Sequence, residues 1–351
     1  MHFYTVCLLC FITGAIVTLS LTPLVIRLAF KVGAVDRPAN RKIHGRVTPR
    51  LGGVGLFFGM WTPLILLCFF NNLFILQFLD NDKHLFLLLI GGLSMVLIGI
   101  VDDIHGLGSR VKFALQFPVA IILVIGGAKF DSINFPLVGH VALGPLGPFL
   151  SILWLVGVTN AVNLIDGVDG LASGVAYLIA LAIATLSIYS GQIYLAIVMC
   201  SVAGACLGFL RHNFNPARIF MGDGGSYFLG FALAAISIVG PAKGLTGVSL
   251  LLPLLILSLP LADMSAVIMG RLSEGRSPFY PDRRHLHHRL LRAGFSHRRT
   301  VVLIYAFTQW LAALALVVAD AELRFLWLGL ATAVLIAVVV VFRRQMQQEA
   351  G

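Results

Sequence analysis

Five aspartates, one lysine and a run of histidines stand where apolar stretches of this chain give way to short polar segments. Asp102 and Asp103 close one such stretch, in Ile100-Val101-Asp102-Asp103-Ile104-His105-Gly106. Two adjacent carboxylates raise each other's cost of ionisation unless a cation or a proton lies between them, so a divalent ion, a general base, or both would account for the pair. Lys112 follows beyond Gly106 and Gly108, where an ammonium can meet a phosphate or simply anchor the next apolar stretch. In Asn160-Ala-Val-Asn163-Leu-Ile-Asp166-Gly-Val-Asp169-Gly170 the polar residues recur at every third position. Gly167 and Gly170 argue against helix beyond Asp166, so Asn160 and Asn163 are expected on one helix face, with Asp166 and Asp169 lining a turn. Amide oxygens beside carboxylates suit a hard cation such as Mg²⁺, or the donors of a base and a sugar.

Three further segments carry polar chemistry. Met221-Gly222-Asp223-Gly224-Gly225-Ser226 sets one carboxylate among glycines ahead of an apolar stretch. Such a sequence either cradles phosphate at a helix start or is a turn with Asp as N-cap. The segment Ser277-Pro-Phe-Tyr-Pro-Asp282-Arg283-Arg284-His285-Leu286-His287-His288-Arg289 gathers three histidines among arginines. Zinc prefers neutral imidazoles with thiolates or carboxylates, and the surrounding cations oppose it, so a clamp for polyphosphate fits better. Asp263 lies inside an apolar stretch, where an acid marks either a functional group or one half of a structural pair.

The elements that position these residues are membrane spans. The 351 residues are 59% hydrophobic and 11% charged, with a mean hydropathy of +0.96. Apolar runs long enough to cross ~30 Å of hydrocarbon predict an all-α polytopic membrane protein forming a single domain over 1–351. About eleven transmembrane helices are expected, near 3–30, 52–78, 84–101, 111–128, 148–164, 171–190, 192–210, 224–240, 246–270, 301–319 and 325–342. Twenty Lys and Arg fall in the odd-numbered connections and the C-terminal tail, against four in the even-numbered ones. That bias puts the N-terminus outside, the C-terminus in the cytoplasm and every segment described above on the cytoplasmic face. The first span lacks a basic leader and reads as retained. Loose alternation over Ser132 to Leu143 predicts a small external hairpin. The five cysteines lie in apolar spans without metal-type spacing and read as small hydrophobes. The net charge of +10 suits anionic lipid, phosphorylated lipid or nucleotide, and nucleic acid is not an expected partner.

Taken together, the Asp102-Asp103 pair, the Asn163-to-Asp169 segment, Met221-Gly-Asp223-Gly and the His285-Leu-His287-His288 loop resemble the polyprenyl-phosphate N-acetylhexosamine-1-phosphate transferases. Order and surroundings match over nearly the whole chain. The Ser-Pro-Phe start, His-x-His-His core and Arg-Ala-Gly-Phe continuation of residues 277–299 are most similar to the bacterial undecaprenyl-phosphate α-N-acetylglucosaminyl 1-phosphate transferases. The related phospho-N-acetylmuramoyl-pentapeptide transferases have three consecutive histidines, whereas Leu286 interrupts the run here. The resemblance implies transfer of GlcNAc 1-phosphate from UDP-GlcNAc to undecaprenyl phosphate, with Mg²⁺ or Mn²⁺, at the cytoplasmic face of a bacterial inner membrane. The products would be GlcNAc-pyrophosphoryl-undecaprenol, which starts a cell-surface glycan, and UMP.

By that resemblance Asn163 and Asp223 would ligate the metal, and Asp102 or Asp103 would orient or deprotonate the lipid phosphate or help position the ion. Lys112 would contact a phosphate and Asp166 and Asp169 the uridine or ribose. Arg284, His285, His287 and His288 would close over the pyrophosphate or sugar. Another UDP-N-acetylhexosamine, or UDP-MurNAc-pentapeptide, would need only altered contacts to the sugar. A transporter of nucleotide sugars or lipid-linked sugars would instead place polar groups near the bilayer midplane, with paired broken helices, and only Asp263 leans that way. A homodimer is compatible with all of these readings.

Overall fold

A computed structural model describes residues 3–37, 47–70, 82–135, 139–240, 251–280 and 284–350. The helices, in chain order, are α1 (Phe3–Val32), α2 (Gly52–Phe70), α3 (Asp82–His105), α4 (Ser109–Ile125), α5 (Leu146–Ile165), α6 (Leu171–Tyr189) and α7 (Ile193–Asn213). They continue as α8 (Gly222–Val239), α9 (Leu251–Ile256), α10 (Ser258–Ser273), α11 (Leu286–Arg292), α12 (His297–Val318) and α13 (Arg324–Ala350). Two short antiparallel pairs complete the fold: β1 (Val35–Asp36) with β2 (Thr48–Pro49), and β3 (Ser132–Phe135) with β4 (Gly139–Ala142). The second pair is the expected hairpin, in the register Ser132↔Ala142 to Phe135↔Gly139.

Among the described residues, nine helices are long and apolar enough to cross a membrane. The multi-pass all-α architecture is therefore as expected, but two of the eleven expected spans differ. That near 111–128 is α4, only 17 residues long and containing Pro118. That near 246–270 is divided into α9 and α10, and its residues 246–250 lie outside the described ones. The division falls at Leu257 because Pro260 has no N–H to give the carbonyl of Ile256, and its ring crowds that oxygen. The end of the 52–78 span, residues 71–78, also lies outside the described residues.

Helix α8 is the hub, with 89% of its apolar stretch buried inside the protein, and α2, α3 and α5 pack around it. Trp154 Nε1 on α5 donates to Ser237 Oγ on α8 at 2.9 Å. The tight α1–α7 crossing depends on small side chains: a Cβ on Gly204 would lie 2.0 Å from the Phe11 carbonyl oxygen, and one on Gly208 2.2 Å from that of Ala15. Small residues one turn apart let two backbones approach where lipid gives no hydrophobic drive for association. At the periphery α13 has only 6% of its apolar stretch buried and is joined to α12 by a Trp310 Nε1–Thr332 Oγ1 hydrogen bond of 3.1 Å. Its apolar face is left for lipid.

Candidate active site

One end of the bundle gathers the last turn of α3, the first turn of α4, the end of α5, the start of α8 and the loop that holds α11. Helix α3 runs on through Asp102 and Asp103 to His105. Successive helical residues are turned by about 100°, so the two carboxylates face different neighbours. Asp102 Oδ2 accepts from Lys112 Nζ at 2.9 Å. Asp103 faces the N-terminus of α8, where its oxygens accept from the backbone N–H groups of Asp223 at 3.3 Å and Gly224 at 3.5 Å. Helix starts leave such donors unpaired, and here a carboxylate from another helix satisfies them.

This corrects the N-cap alternative for Asp223, which lies inside the first turn of α8 while Met221 holds the cap position without a side-chain cap bond. The close fit requires two glycines. A Cβ on Gly99 would lie 2.0 Å from the Gly224 nitrogen. Gly222 has φ +68°, and its Cβ would meet the Arg50 carbonyl oxygen at 1.9 Å and Asp103 Oδ2 at 2.2 Å.

Asp223 is the centre of the cluster. Its Oδ2 accepts from Lys112 Nζ at 2.7 Å and from Tyr227 Oη at 3.1 Å, and its Oδ1 from Asn163 Nδ2 at 3.0 Å. Asn163 also donates to Ser226 Oγ at 2.8 Å. Lys112 thus holds Asp102 and Asp223 together with a single positive charge. Asp102 Oδ1 is buried and has no hydrogen-bond partner among the described residues. A buried carboxylate oxygen left unmatched is costly unless a cation or donor visits it.

The turn after α5 begins at Asp166, the C-cap residue, as the glycines predict. Asp166 is half-buried, and loss of water together with the negative field of Asp223 raises its carboxyl well above the ordinary range, against the pull of Arg50. The turn is pinned from behind: Gly170 N donates to Asn213 Oδ1 at 3.1 Å, and Tyr305 Oη donates to the Gly170 carbonyl at 2.5 Å. Asp169 Oδ2 accepts from Asn215 Nδ2 and Ala217 N, both at 3.0 Å, which ties the turn to the segment leading into α8. Asn160 sits one turn deeper than Asn163 and donates to Gln116 Oε1 at 2.6 Å instead of joining the acids.

The histidine loop folds back over this end. Phe279 meets Phe113 of α4 edge-on at 5.4 Å between centroids. His287, 2% exposed, lies against the turn after α5, where a Cβ on Gly167 would be 2.5 Å from its Nε2. Burial, with His288 and His285 nearby, lowers the His287 imidazole to about 3, so it is neutral at physiological pH. The His285 and His287 rings stack at 5.8 Å and 4°, and His288 lies 4.3 Å from His287 between centroids. Arg284 pairs with Glu274, Nη2 to Oε2 at 2.8 Å, at the exposed side of the loop. Asp282 and Arg283 lie outside the described residues.

One charged residue of the site was not anticipated. Arg50 Nε lies 3.4 Å from Asp103 Oδ1, and its Nη1 lies 3.9 Å from Asp36 Oδ1. Burial opposes its charge, but Asp103, Asp36, Asp223 and Asp166 outweigh burial and hold the guanidinium above its ordinary value. Backbone bonds from Phe220 N to Pro49 O at 2.8 Å and from Gly53 N to Met221 O at 2.9 Å lock this strand segment to the start of α8.

The donor atoms at the centre are all oxygen or amide: two carboxylates, the Asn163 carboxamide and nearby hydroxyls. Among the described residues no three His, Cys, Asp or Glu side chains converge as ligands. A Mg²⁺-like ion asks for less, since it takes one or two carboxylates and completes its shell with water and substrate phosphate. The buried Asp102 Oδ1, without a partner among the described residues, fits such an ion.

Residues 85–241 match the family model described as glycosyl transferase family 4. The chain is 36% identical over 321 residues to a probable undecaprenyl-phosphate N-acetylglucosaminyl 1-phosphate transferase of Bacillus subtilis, covering 91% of this chain and 86% of that protein. It is 39% identical over 316 residues to a decaprenyl-phosphate N-acetylglucosaminephosphotransferase of Mycolicibacterium smegmatis, covering 84% and 77%. With an undecaprenyl-phosphate alpha-N-acetylglucosaminyl 1-phosphate transferase of Escherichia coli K12 it shares 33% identity over 284 residues, covering 79% and 74%.

Proposed function

Since the chain belongs to the glycosyl transferase family 4 enzymes that transfer N-acetylglucosamine 1-phosphate to a polyprenyl phosphate, we propose that its donor is UDP-GlcNAc and its acceptor undecaprenyl phosphate. The products are GlcNAc-pyrophosphoryl-undecaprenol and UMP. The observation that carries this reading is the Asp102–Lys112–Asp223 cluster at one end of the membrane bundle, with Asn163 beside it and one buried Asp102 oxygen without a partner among the described residues. A water-soluble nucleotide sugar and a membrane-bound lipid phosphate can both reach such a place. The excess of Lys and Arg in the connections at this end supports the cytoplasmic face of a bacterial inner membrane.

Asp223, Asn163 and Asp102 would hold Mg²⁺ or Mn²⁺, which when bound supplies positive charge to the diphosphate and to the departing UMP. Lys112 meets the phosphate of donor or acceptor. Asp102 orients the attacking lipid phosphate. A phosphate monoester loses its second proton near pH 6, so at neutral pH orientation and charge matter more than proton abstraction. Asp103 has a different part: it fixes the start of α8, and with it Asp223. Asp166 at the turn faces the uridine or ribose, and Asp169, whose Oδ2 is held by Asn215 and Ala217, borders the same nucleoside. His285, His287 and His288 cover the pyrophosphate or sugar, with Arg284 at the outer edge. The transport reading loses the support of Asp263, which is engaged within the protein by His285 and Leu286.

Purified protein in detergent, supplied with undecaprenyl phosphate and Mg²⁺, is expected to release UMP from UDP-GlcNAc and not from UDP-MurNAc-pentapeptide. Release from the pentapeptide donor would move the chain to peptidoglycan precursor synthesis. Release from neither donor, by folded protein, would overturn the assignment of GlcNAc.

A further inference from the structure

Asp263 is a buried acid of the bundle that the reaction above does not use. It lies on α10, which packs beside α5, and its carboxylate is buried, with the side chain 7% exposed. Both of its oxygens are committed to the start of the histidine helix: Oδ2 lies 2.8 Å from His285 Nδ1, and Oδ1 accepts from the Leu286 backbone N–H at 2.6 Å. His285 is itself 5% exposed, and its ring is parallel to that of His287, which rests on Gly167 next to Asp166. A continuous set of contacts therefore runs from a membrane helix, through two stacked imidazoles, to the turn that borders the acid cluster.

We propose that Asp263 is a positioning residue for the transfer reaction: it fixes the His285 ring and the first turn of α11, and through them seats His287 against the Asp166 turn. The inference rests on the proposed placement of the histidine loop over the substrate. Two physical effects make the carboxylate specific. At Nδ1 it accepts the ring N–H and so fixes a proton on that nitrogen. At Leu286 it satisfies a donor that the start of α11 would otherwise bury unpaired. An asparagine can keep only one of these, because an amide that accepts from Leu286 turns its NH₂ toward His285 and favours the opposite tautomer. Partners that orient metal-bound histidines contribute about 10–100-fold, and reversal of the tautomer in a catalytic histidine can cost as much as ~10⁴-fold.

The test pairs kinetics with a measurement that needs no turnover. Asp263→Asn is expected to lower kcat for UMP release by roughly 10–100-fold with a smaller change in the UDP-GlcNAc KM, and Asp263→Glu to recover part of the loss. In a His285→Ala background the same Asp263→Asn change should cost almost nothing more. Selective ¹⁵N-histidine labelling should show one ring whose Nδ1–H signature changes in Asp263→Asn. Wild-type kinetics from Asp263→Asn, or an undiminished loss in the His285→Ala background, would overturn the proposal. So would an unchanged ¹⁵N spectrum. If the wild-type protein releases no UMP from UDP-GlcNAc, the functional reading fails, and the ¹⁵N signature still decides whether Asp263 governs His285.

Discussion

Replacing Asp223 by asparagine tests the centre of the site most directly. The side chain accepts from three donors, Lys112 and Tyr227 on Oδ2 and Asn163 on Oδ1. An asparagine of the same shape must turn its NH₂ either toward Lys112 and Tyr227 or toward Asn163. A donor then faces a donor whichever way the amide lies. Lys112 keeps Asp102 at 2.9 Å, so its ammonium is not left bare and the fold should survive. A lost charge-assisted hydrogen bond costs about 1.5–3 kcal/mol. Loss of a preorganised electrostatic contact to the reacting phosphates costs about 2.7–4 kcal/mol, or 10²–10³-fold in rate. Asp223→Asn should therefore reduce UMP release by at least ~100-fold while the protein elutes as a single detergent-solubilised species. A variant within threefold of the wild type would refute the reasoning that puts Asp223 against the reacting groups.

Activity should vanish on treatment with EDTA and return with Mg²⁺ or Mn²⁺, and full activity in excess chelator would remove the ion from the site. Gly99→Ala should lose folded protein, because its Cβ would lie 2.0 Å from the Gly224 nitrogen and push α3 off α8; normal expression and a normal apparent Tm would contradict that packing. His287 stays neutral in the fold down to about pH 3, whereas an unfolded histidine protonates near 6.5. Between those values the unfolded chain binds the extra proton, so the stability due to His287 is complete above about pH 6.5 and falls by about 1.4 kcal/mol per unit as the pH drops. The apparent Tm of the wild type should thus fall more steeply from pH 7 to 5 than that of His287→Asn, and parallel slopes would exclude His287 as the cause.

Much of the architecture could be read from hydropathy alone, since each long apolar run must satisfy its own backbone in lipid and so becomes a helix. The divided helix α9–α10 was visible in principle, as Pro253 and Pro260 stand in the sequence, but apolar content does not register a missing N–H. Convergence of Asp102, Lys112, Asn163, Asp166 and Asp223 at one end followed from their positions at the ends of spans. The division of labour within Asp102-Asp103 did not, because it depends on α3 continuing past both residues and so fixing their directions. Arg50 escaped notice for another reason. It is one of several bases in its connection, and only the pairing of β1 with β2 and their docking on the start of α8 bring it to Asp103. The same holds for Asn160, whose spacing put it with Asn163 although Gln116, on another helix, claims it.

The central place of α8 bears on how the protein is made. Its hydropathy of 1.3 is the lowest of the nine described spans, and it is also the most enclosed. A segment so weakly apolar, with Asp223 in its first turn, gains little from lipid by itself and much from the walls of α2, α3 and α5. Its residence in the bilayer is thus tied to the arrival of neighbours, and the glycine contacts at Gly99 and Gly222 close only when those neighbours are seated. A partly assembled chain would hold its acids apart on separate helices, unable to gather a cation or a phosphate. The geometry that brings the acids together is therefore the same packing that encloses α8.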